Sequence, residues 1–454
     1  MNNILFLISV YEQLFIDYID LNRDVLGDCF GIAYGKNEKT SSVNYKKVLF
    51  YSDHLSQTPQ ITKSEISALQ KIEAICGISL ADCIHSDRHL MKIKPDDRKN
   101  IAYRMLLDSI NLINKYDINY IFAEGADDFI SFALSKYFDQ SARVKFLYAI
   151  PSRLGSKFHF SDNINNAPIG YLRRFSENLE SKKFASVDTF INDYIEQKSQ
   201  PFYIKSNLVY KTYTLEQFLS FCRYIFRFFT EKNTMHIQEN PFYLLKIKAM
   251  KIIRKTLYSK IPKLDNSQLP QNFLIFPLQF SPEASTLIQG SKFNDMYQVI
   301  ELISKSLPVN LTLLVKEHKL CVGRREYKFF KKILNLHNVR LIRDDVDTYE
   351  LIKHSKGVIT VSSSMALEAL MLKKPAGIIG RIYFDNLSNV FNLHNFYSLD
   401  HNIKEMLLSN HNSDELKALI QTIVECGFEV DMHPETYSGI ENLPNIAQYI
   451  SEYS

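Results

Sequence analysis

At 454 residues the chain is longer than one ordinary hydrophobic core can organise, which points to two domains. Its 46% hydrophobic and 23% charged residues are those of a globular protein, and a net charge of +4 is too mild to argue for a nucleic-acid partner. The six cysteines, Cys29, Cys76, Cys83, Cys222, Cys321 and Cys426, form no CxxC pair, which argues against a disulfide framework or thiolate metal site and fits a reducing cytoplasm, and no apolar run is long enough to span a bilayer.

The N-terminal apolar run lacks a basic flank and soon meets Glu12 and Asp17, so it reads as a first strand over residues 4–9 rather than a signal peptide. Further strands are expected at 47–51, 120–123 and 145–149, with helices at 63–76, 97–115 and 127–137. This βαβ rhythm marks residues 1–165 as one Rossmann-like domain on a parallel sheet. Residues 166–265 read instead as a helical, aromatic and basic connecting region, with helices at 215–230 and 241–258. The βα rhythm restarts at 273–280. Strands follow at 311–315, 339–342, 358–361 and 376–379, and helices at 293–306, 325–334, 348–354 and 365–372. Residues 266–430 thus form a second Rossmann-like domain, followed by a tail helix at 431–454. The expected class is α/β: two Rossmann-like domains facing a central cleft at the carboxyl ends of both sheets, with a helical insertion between them.

The most informative stretch runs from Lys316 to Gly380. One strand ends in Lys316, Glu317 and His318, and another ends in Ser362, Ser363 and Ser364 just before a helix. Amides and hydroxyls at a helix N-terminus suit a phosphate, and His318 and Lys316 would add a donor and a charge. The bland alternatives are a helix cap for the serines and a solvated loop for the "KEHK" stretch. Glu368, one turn into that helix, either favours its dipole or accepts from ribose hydroxyls. Gln279 and Glu283, after the domain's first strand, face the expected cleft. In the first domain "AEGADD" places Glu124, Asp127 and Asp128 at a strand's carboxyl tip, where a carboxylate can deprotonate a hydroxyl; the aspartates read also as a helix cap. The polar "HSDRHL" run, with His85, Asp87, Arg88 and His89, lacks metal-ligand spacing, and no metal or cofactor is expected. Residues 241–263 carry lysines and an arginine among apolar residues and no acid. That is a helix packed on its own domain, or one lying on an anionic membrane through Lys246 to Lys263.

"FPLQFSPEASTL", "VKEHK…GRREY" and "GVITVSSSMALEALMLKKPAGIIGR" together resemble the capsule polysaccharide biosynthesis proteins of Gram-negative bacteria. The resemblance is strong over about residues 266–385 and weaker at "AEGADDFISFALSKYF" and "DCIHSDRHL". It implies a metal-independent GT-B glycosyltransferase building surface polysaccharide. The implied donor is CMP-activated, carrying Kdo or a sialic-type nonulosonic acid, and the implied acceptor is a glycan or lipid-linked glycan. A cytoplasmic location, peripheral at the inner membrane, follows. The same elements resemble bacterial sialyltransferases, by which His318, Ser363 and Ser364 would hold the donor phosphate and Glu124 or a nearby aspartate would activate the acceptor. A donor carboxylate would call on Arg324, Arg325 and Arg381. Where the family shows Lys-x-His-Pro, this chain has Lys319 after His318. UDP-sugar transferases or epimerases and CDP-polyol phosphotransferases share the implied fold. A non-catalytic capsule assembly or export partner is the reading outside enzymes.

Overall fold

Short runs of Val, Ile, Leu and Phe without polar alternation form strands buried on both faces, which requires helices on each side of a parallel sheet. The computed structural model describes residues 2–8, 26–33, 45–55, 60–123, 125–139, 141, 143–155, 157–184, 186–197, 215–230, 241–280 and 283–429. Contacts divide the chain into two units. One comprises Met1–Tyr171, Gln200–Pro241 and Ile423–Ser454; the other comprises Leu172–Ser199 and Phe242–Thr422. The expected connecting region is thus shared between the units, and the expected tail helix at 431–454 lies outside the described residues.

The first unit carries strands β1 (Asn2–Ile8), β2 (Leu26–Ala33), β3 (Lys47–Phe50), β4 (Ile118–Ala123), β5 (Lys145–Pro151) and β6 (Lys157–Ser161). The second carries β7 (Phe273–Pro277), β8 (Thr312–Lys316), β9 (Val339–Ile342), β10 (Val358–Thr360), β11 (Ala376–Ile378) and β12 (Val390–Asn392). A short β13 (Phe428–Glu429) returns to the first unit and pairs antiparallel with β6. The first sheet runs β13-β6-β5-β4-β1-β2-β3, with β3 through β5 parallel and β6 antiparallel to β5. The second runs β12-β11-β10-β7-β8-β9, all parallel. Both are Rossmann-like: in each, the first strand lies between the second and the fourth of its unit, so the winding reverses there. At such a switch point a crevice opens beyond the carboxyl ends of the strands.

Local chemistry sets the helix limits. Helix Lys63–Cys76 matches the sequence expectation; it starts at a Thr62–Glu65 capping box and stops at Gly77, whose φ is 63°. Helix Pro95–Lys115 starts at its proline, two residues before the expected start. Helix Phe129–Phe138 begins after Asp128, not at Asp127, because the Asp128 carboxylate accepts from the Ser131 amide. In the second unit one face of the sheet packs Leu274, Phe276, Leu313, Val315 and Leu341 in a large cluster, while Phe273, Ile275, Leu314 and Ile342 point to the other. Each such side chain contributes about 1.5–3 kcal/mol on burial.

One close approach constrains the second unit. Gly323 has φ 85°, and a Cβ there would lie 2.5 Å from the carbonyl oxygen of Lys251 in helix Pro241–Ser259. Gly323→Ala is expected to lower unfolding stability by about 2–3 kcal/mol, through both backbone strain and the clash. A denaturant titration checks this; an unchanged midpoint would remove the constraint.

Candidate functional site

In the second unit β7, β8 and β10 end side by side. Pro277 pairs in register with Lys316, and Lys316 with Ile342. Because strand side chains alternate, Lys316 and Glu317 leave β8 on opposite faces.

Glu317 is almost wholly buried. One of its oxygens takes the guanidinium of Arg325 at 2.5 Å and the backbone N–H of His318 at 2.8 Å. Arg325 also donates to the Gln279 carbonyl, at 2.5 Å. The Gln279 side-chain amide donates to Thr360 Oγ1 at 2.7 Å, and the same hydroxyl accepts the Ser363 N–H at 3.1 Å. A continuous series of polar contacts therefore runs from His318 on the β8 loop, past β7, to the serines after β10. Burial pushes the Glu317 carboxyl up, and Arg325 and the His318 amide pull it back. Its other oxygen meets no hydrogen-bond partner among the described residues.

His318 caps the short turn Lys319–Cys321, its Nδ1 accepting the Leu320 N–H at 3.2 Å. Burial, with Arg325, Lys316 and Arg324 nearby, lowers its pKa to about 4. The ring is therefore neutral at pH 7 and its Nε2 carries the proton, as a hydrogen-bond donor. Phe280 meets the ring edge-on at 5.7 Å, and the exposed Arg324 lies over Phe280 at 4.5 Å. His318 has φ −70° and ψ 129°, the extended conformation required of a residue before proline, so Lys319 leaves the loop backbone in a proline-compatible shape.

Lys316 points elsewhere. Its buried amino group donates to the Asp344 carbonyl at 3.1 Å, and burial lowers its pKa to about 8. On the same face burial raises the Glu368 carboxyl to about 7, with Lys316 opposing. The serines divide their work. Ser363 Oγ accepts the Met365 N–H at 3.2 Å and so caps helix Met365–Met371, whose next amides bond to the Ser363 and Ser364 carbonyls. The expected array of free first-turn amides is therefore already used. Ser362 is buried, and Ser364 is half-buried without a capping bond. Glu283 starts the turn Ala284–Leu287, its carbonyl accepting from the Thr286 hydroxyl. Arg381 is exposed, its backbone N–H bonded to the Gln289 carbonyl.

In the first unit Glu124 lies outside the described residues. Just beyond β4, Asp87 is fully buried and accepts the amides of His89, Leu90 and Phe129 at 2.7–3.0 Å. Of the "HSDRHL" run, Asp87 and Arg88 thus serve this corner. Asp128 caps its helix, and burial beside Asp127 and Asp87 raises its pKa to about 7. Asp127 takes Arg88 on one oxygen at 3.2 Å; burial raises its pKa against that pairing. Sequence reasoning missed Glu317, Thr360 and the anchoring role of Asp87. Thr360, the one hydroxyl within an apolar strand, was a usable signal.

The description of the matching family is capsule polysaccharide biosynthesis protein, and its model matches residues 179–422. The chain belongs to this family. Curated relatives include the capsule polysaccharide export protein KpsS of Escherichia coli, 28% identical over 180 residues that cover 36% of this chain and 46% of that protein. The capsule polysaccharide modification protein LipB of Neisseria meningitidis is 23% identical over 162 residues, 33% of this chain and 39% of LipB. The chain thus matches less than half the length of these curated relatives. Among solved structures, Thermosulfurimonas dismutans KpsC, beta Kdo 2,7 transferase, aligns over 97% of this chain and 96% of its own at 10% identity and TM-score 0.36, a likeness too distant to carry an argument.

Arg325→Ala leaves Glu317 buried without its counter-ion and is expected to cost about 3–5 kcal/mol of stability; Arg325→Lys should recover only part, since one ammonium cannot replace both guanidinium contacts. Urea unfolding measures both. Glu368 binds its proton more tightly folded than unfolded, so its contribution to stability is full below the ordinary carboxylate range and is lost as pH rises to about 7. Glu368→Gln lacks that loss. The variant's stability relative to the parent should rise between pH 5 and pH 8, by about 2 kcal/mol after allowance for partial exposure. A flat difference across that range would contradict it.

Proposed function

We propose that this chain is a glycosyltransferase of capsule polysaccharide synthesis that moves an ulosonic acid, Kdo or a sialic-type nonulosonic acid, from a CMP-activated donor to a glycan or lipid-linked glycan acceptor. The observation that carries the reading is the contact series from His318 to Ser363. It spans the carboxyl ends of β8, β7 and β10 and leaves a neutral imidazole with an Nε2–H to donate. A neutral donor held by buried contacts suits a phosphate that gains charge as it leaves, because its dipole need not reorganise during the reaction. Family membership supports the polymer class, and the names of curated relatives support the capsule context.

In the proposed step an acceptor hydroxyl oxygen attacks the anomeric carbon. The bond from that carbon to the phosphate oxygen breaks, its electron pair leaving with CMP. The hydroxyl proton passes to a carboxylate base. Asp128 is committed to its helix, and Asp127 keeps one oxygen outside its Arg88 bond, so Asp127 is the described residue best suited as base. Glu124 is the other candidate. His318 and the Ser364 hydroxyl would hold the leaving phosphate, and exposed Arg324 and Arg381 would meet the donor carboxylate. The reading invokes no metal or cofactor and places the enzyme at the cytoplasmic side of the inner membrane.

Thermal shift with CMP, CDP, UMP and UDP tests it. CMP at a hundred times its dissociation constant should stabilise the parent by about 2.7 kcal/mol, with most of that lost in His318→Ala. Asp127→Asn should keep the shift and lower transfer from a CMP-ulosonate by about 10²–10⁴-fold. A shift with UDP alone would overturn the donor class, and no shift with any nucleotide would overturn the transferase reading.

A further inference from the structure

Helix Pro241–Ser259 is oriented against the usual rule. At 100° per residue, Phe242, Leu245, Ile252 and Ile253 share an arc of about 100°. All four are exposed, Phe242 at 65%, Ile252 at 68% and Ile253 at 53%. The opposite side is the packed one. The Lys251 backbone and the Lys255 side chain lie against Gly323. Arg254 donates to the Arg324 carbonyl at 2.8 Å and pairs with Glu326, and Tyr258 is buried against Phe330. The helix thus turns part of its basic side to its own unit and its apolar side to solvent. A contiguous exposed apolar face of this kind marks a contact surface.

Charge decides between occupants. Every charged residue from 241 to 263 is Lys or Arg, and Lys246 and Lys248 are exposed beside the apolar arc. A second copy would bring two such faces together and repel. An anionic bilayer satisfies both features at once, taking Phe, Leu and Ile into the acyl boundary and lysines to the headgroups. We infer that helix Pro241–Ser259 is an interfacial helix that lays this unit on an anionic lipid surface. Its contacts with Gly323 and Arg324 tie the loop carrying His318 to that surface. The assignment goes beyond the proposed transfer reaction and does not depend on it.

The chain contains no tryptophan, so one introduced residue reports alone. Ile253→Trp should shift its emission to the blue on addition of vesicles of equal parts phosphatidylcholine and phosphatidylglycerol. Val309→Trp, on a loop outside the helix, should not. The parent chain should co-sediment with those vesicles in preference to pure phosphatidylcholine, and less so at high salt. Lys246→Gln with Lys248→Gln should weaken that partition roughly 25-fold, about fivefold for each lysine. Phe242→Ser with Ile253→Ser should abolish it while the far-ultraviolet spectrum and melting temperature stay those of the parent. Failure of the parent chain to sediment with either vesicle overturns the inference. So does undiminished binding by the Phe242 and Ile253 double variant, or equal binding to neutral vesicles. A parent dimer that dissociates in the serine variant, with no vesicle binding, assigns the face to a second copy instead. None of these readouts involves a nucleotide, so failure here leaves the transferase reading to its own test.

Discussion

One buried carboxylate organises the second unit's site. Glu317 sits at the end of β8 with its charge out of water, where an isolated carboxylate is unstable. Arg325 supplies the opposite charge, and its fork has a second arm. That arm reaches the Gln279 carbonyl beyond β7, so neutralising Glu317 also fixes the chain after a neighbouring strand. Gln279 passes the constraint on through Thr360 to Ser363. Three loops from three strands are thereby held in one geometry by contacts that each satisfy a buried group. Losing one contact would leave a further buried polar atom unpaired, beside the Glu317 oxygen that already has no partner among the described residues, so the series acts as one unit.

The same carboxylate sets the chemistry of its neighbour. It accepts the His318 N–H and so fixes the backbone of that residue, while Leu320 occupies Nδ1. Burial above all, and then Arg325, Lys316 and Arg324, keep a proton off the ring, so the imidazole is neutral. The positive character of the site therefore lies on the arginines and not on the histidine. Across the sheet, Lys316 and Glu368 both move toward neutrality, the base pushed down and the acid up by burial. In the first unit, carboxylates collect beyond β4 at the corresponding end of its sheet, where Asp87 and Asp128 cap and Asp127 pairs with Arg88. Two sheets of like winding thus carry opposite chemistry at their switch points, and the difference lies in the residues that follow the strands.

Much of this was legible in the sequence, for identifiable reasons. Strands β7 to β11 are mostly apolar, because a parallel strand is buried on both faces; β8 to β11 match the expectation within one residue, and β7 stops at Pro277, three residues before the expected end. β2 was missed because Gly27, Asp28 and Gly31 interrupt its apolar residues, and β6 because its run is short and starts with Lys157. The three serines were recognised, but sequence alone does not say which hydroxyl caps; the hydrogen bond to Met365 assigns it to Ser363. Glu317 looked like an ordinary charged residue in a polar loop. Its burial depends on Arg325, eight residues on in sequence, and on the Gln279 carbonyl, and neither contact leaves a periodic signature.

Helix Pro241–Ser259 shows why pattern and orientation are separate questions. Its spacing of apolar and basic residues is the same whichever side faces inward, so the sequence permits both a packed helix and a surface-lying one. What breaks the tie is Gly323. With no Cβ and a left-handed φ, it lets the Lys251 backbone approach to a distance that any side chain would forbid. The basic side is thereby docked, Arg254 is brought to the Arg324 carbonyl, and the apolar arc is turned outward. The loop so clamped runs from His318 through Arg324 to Arg325, the residue that neutralises Glu317. Orientation of the helix and geometry of the site are consequences of the same few residues, joined through packed backbone.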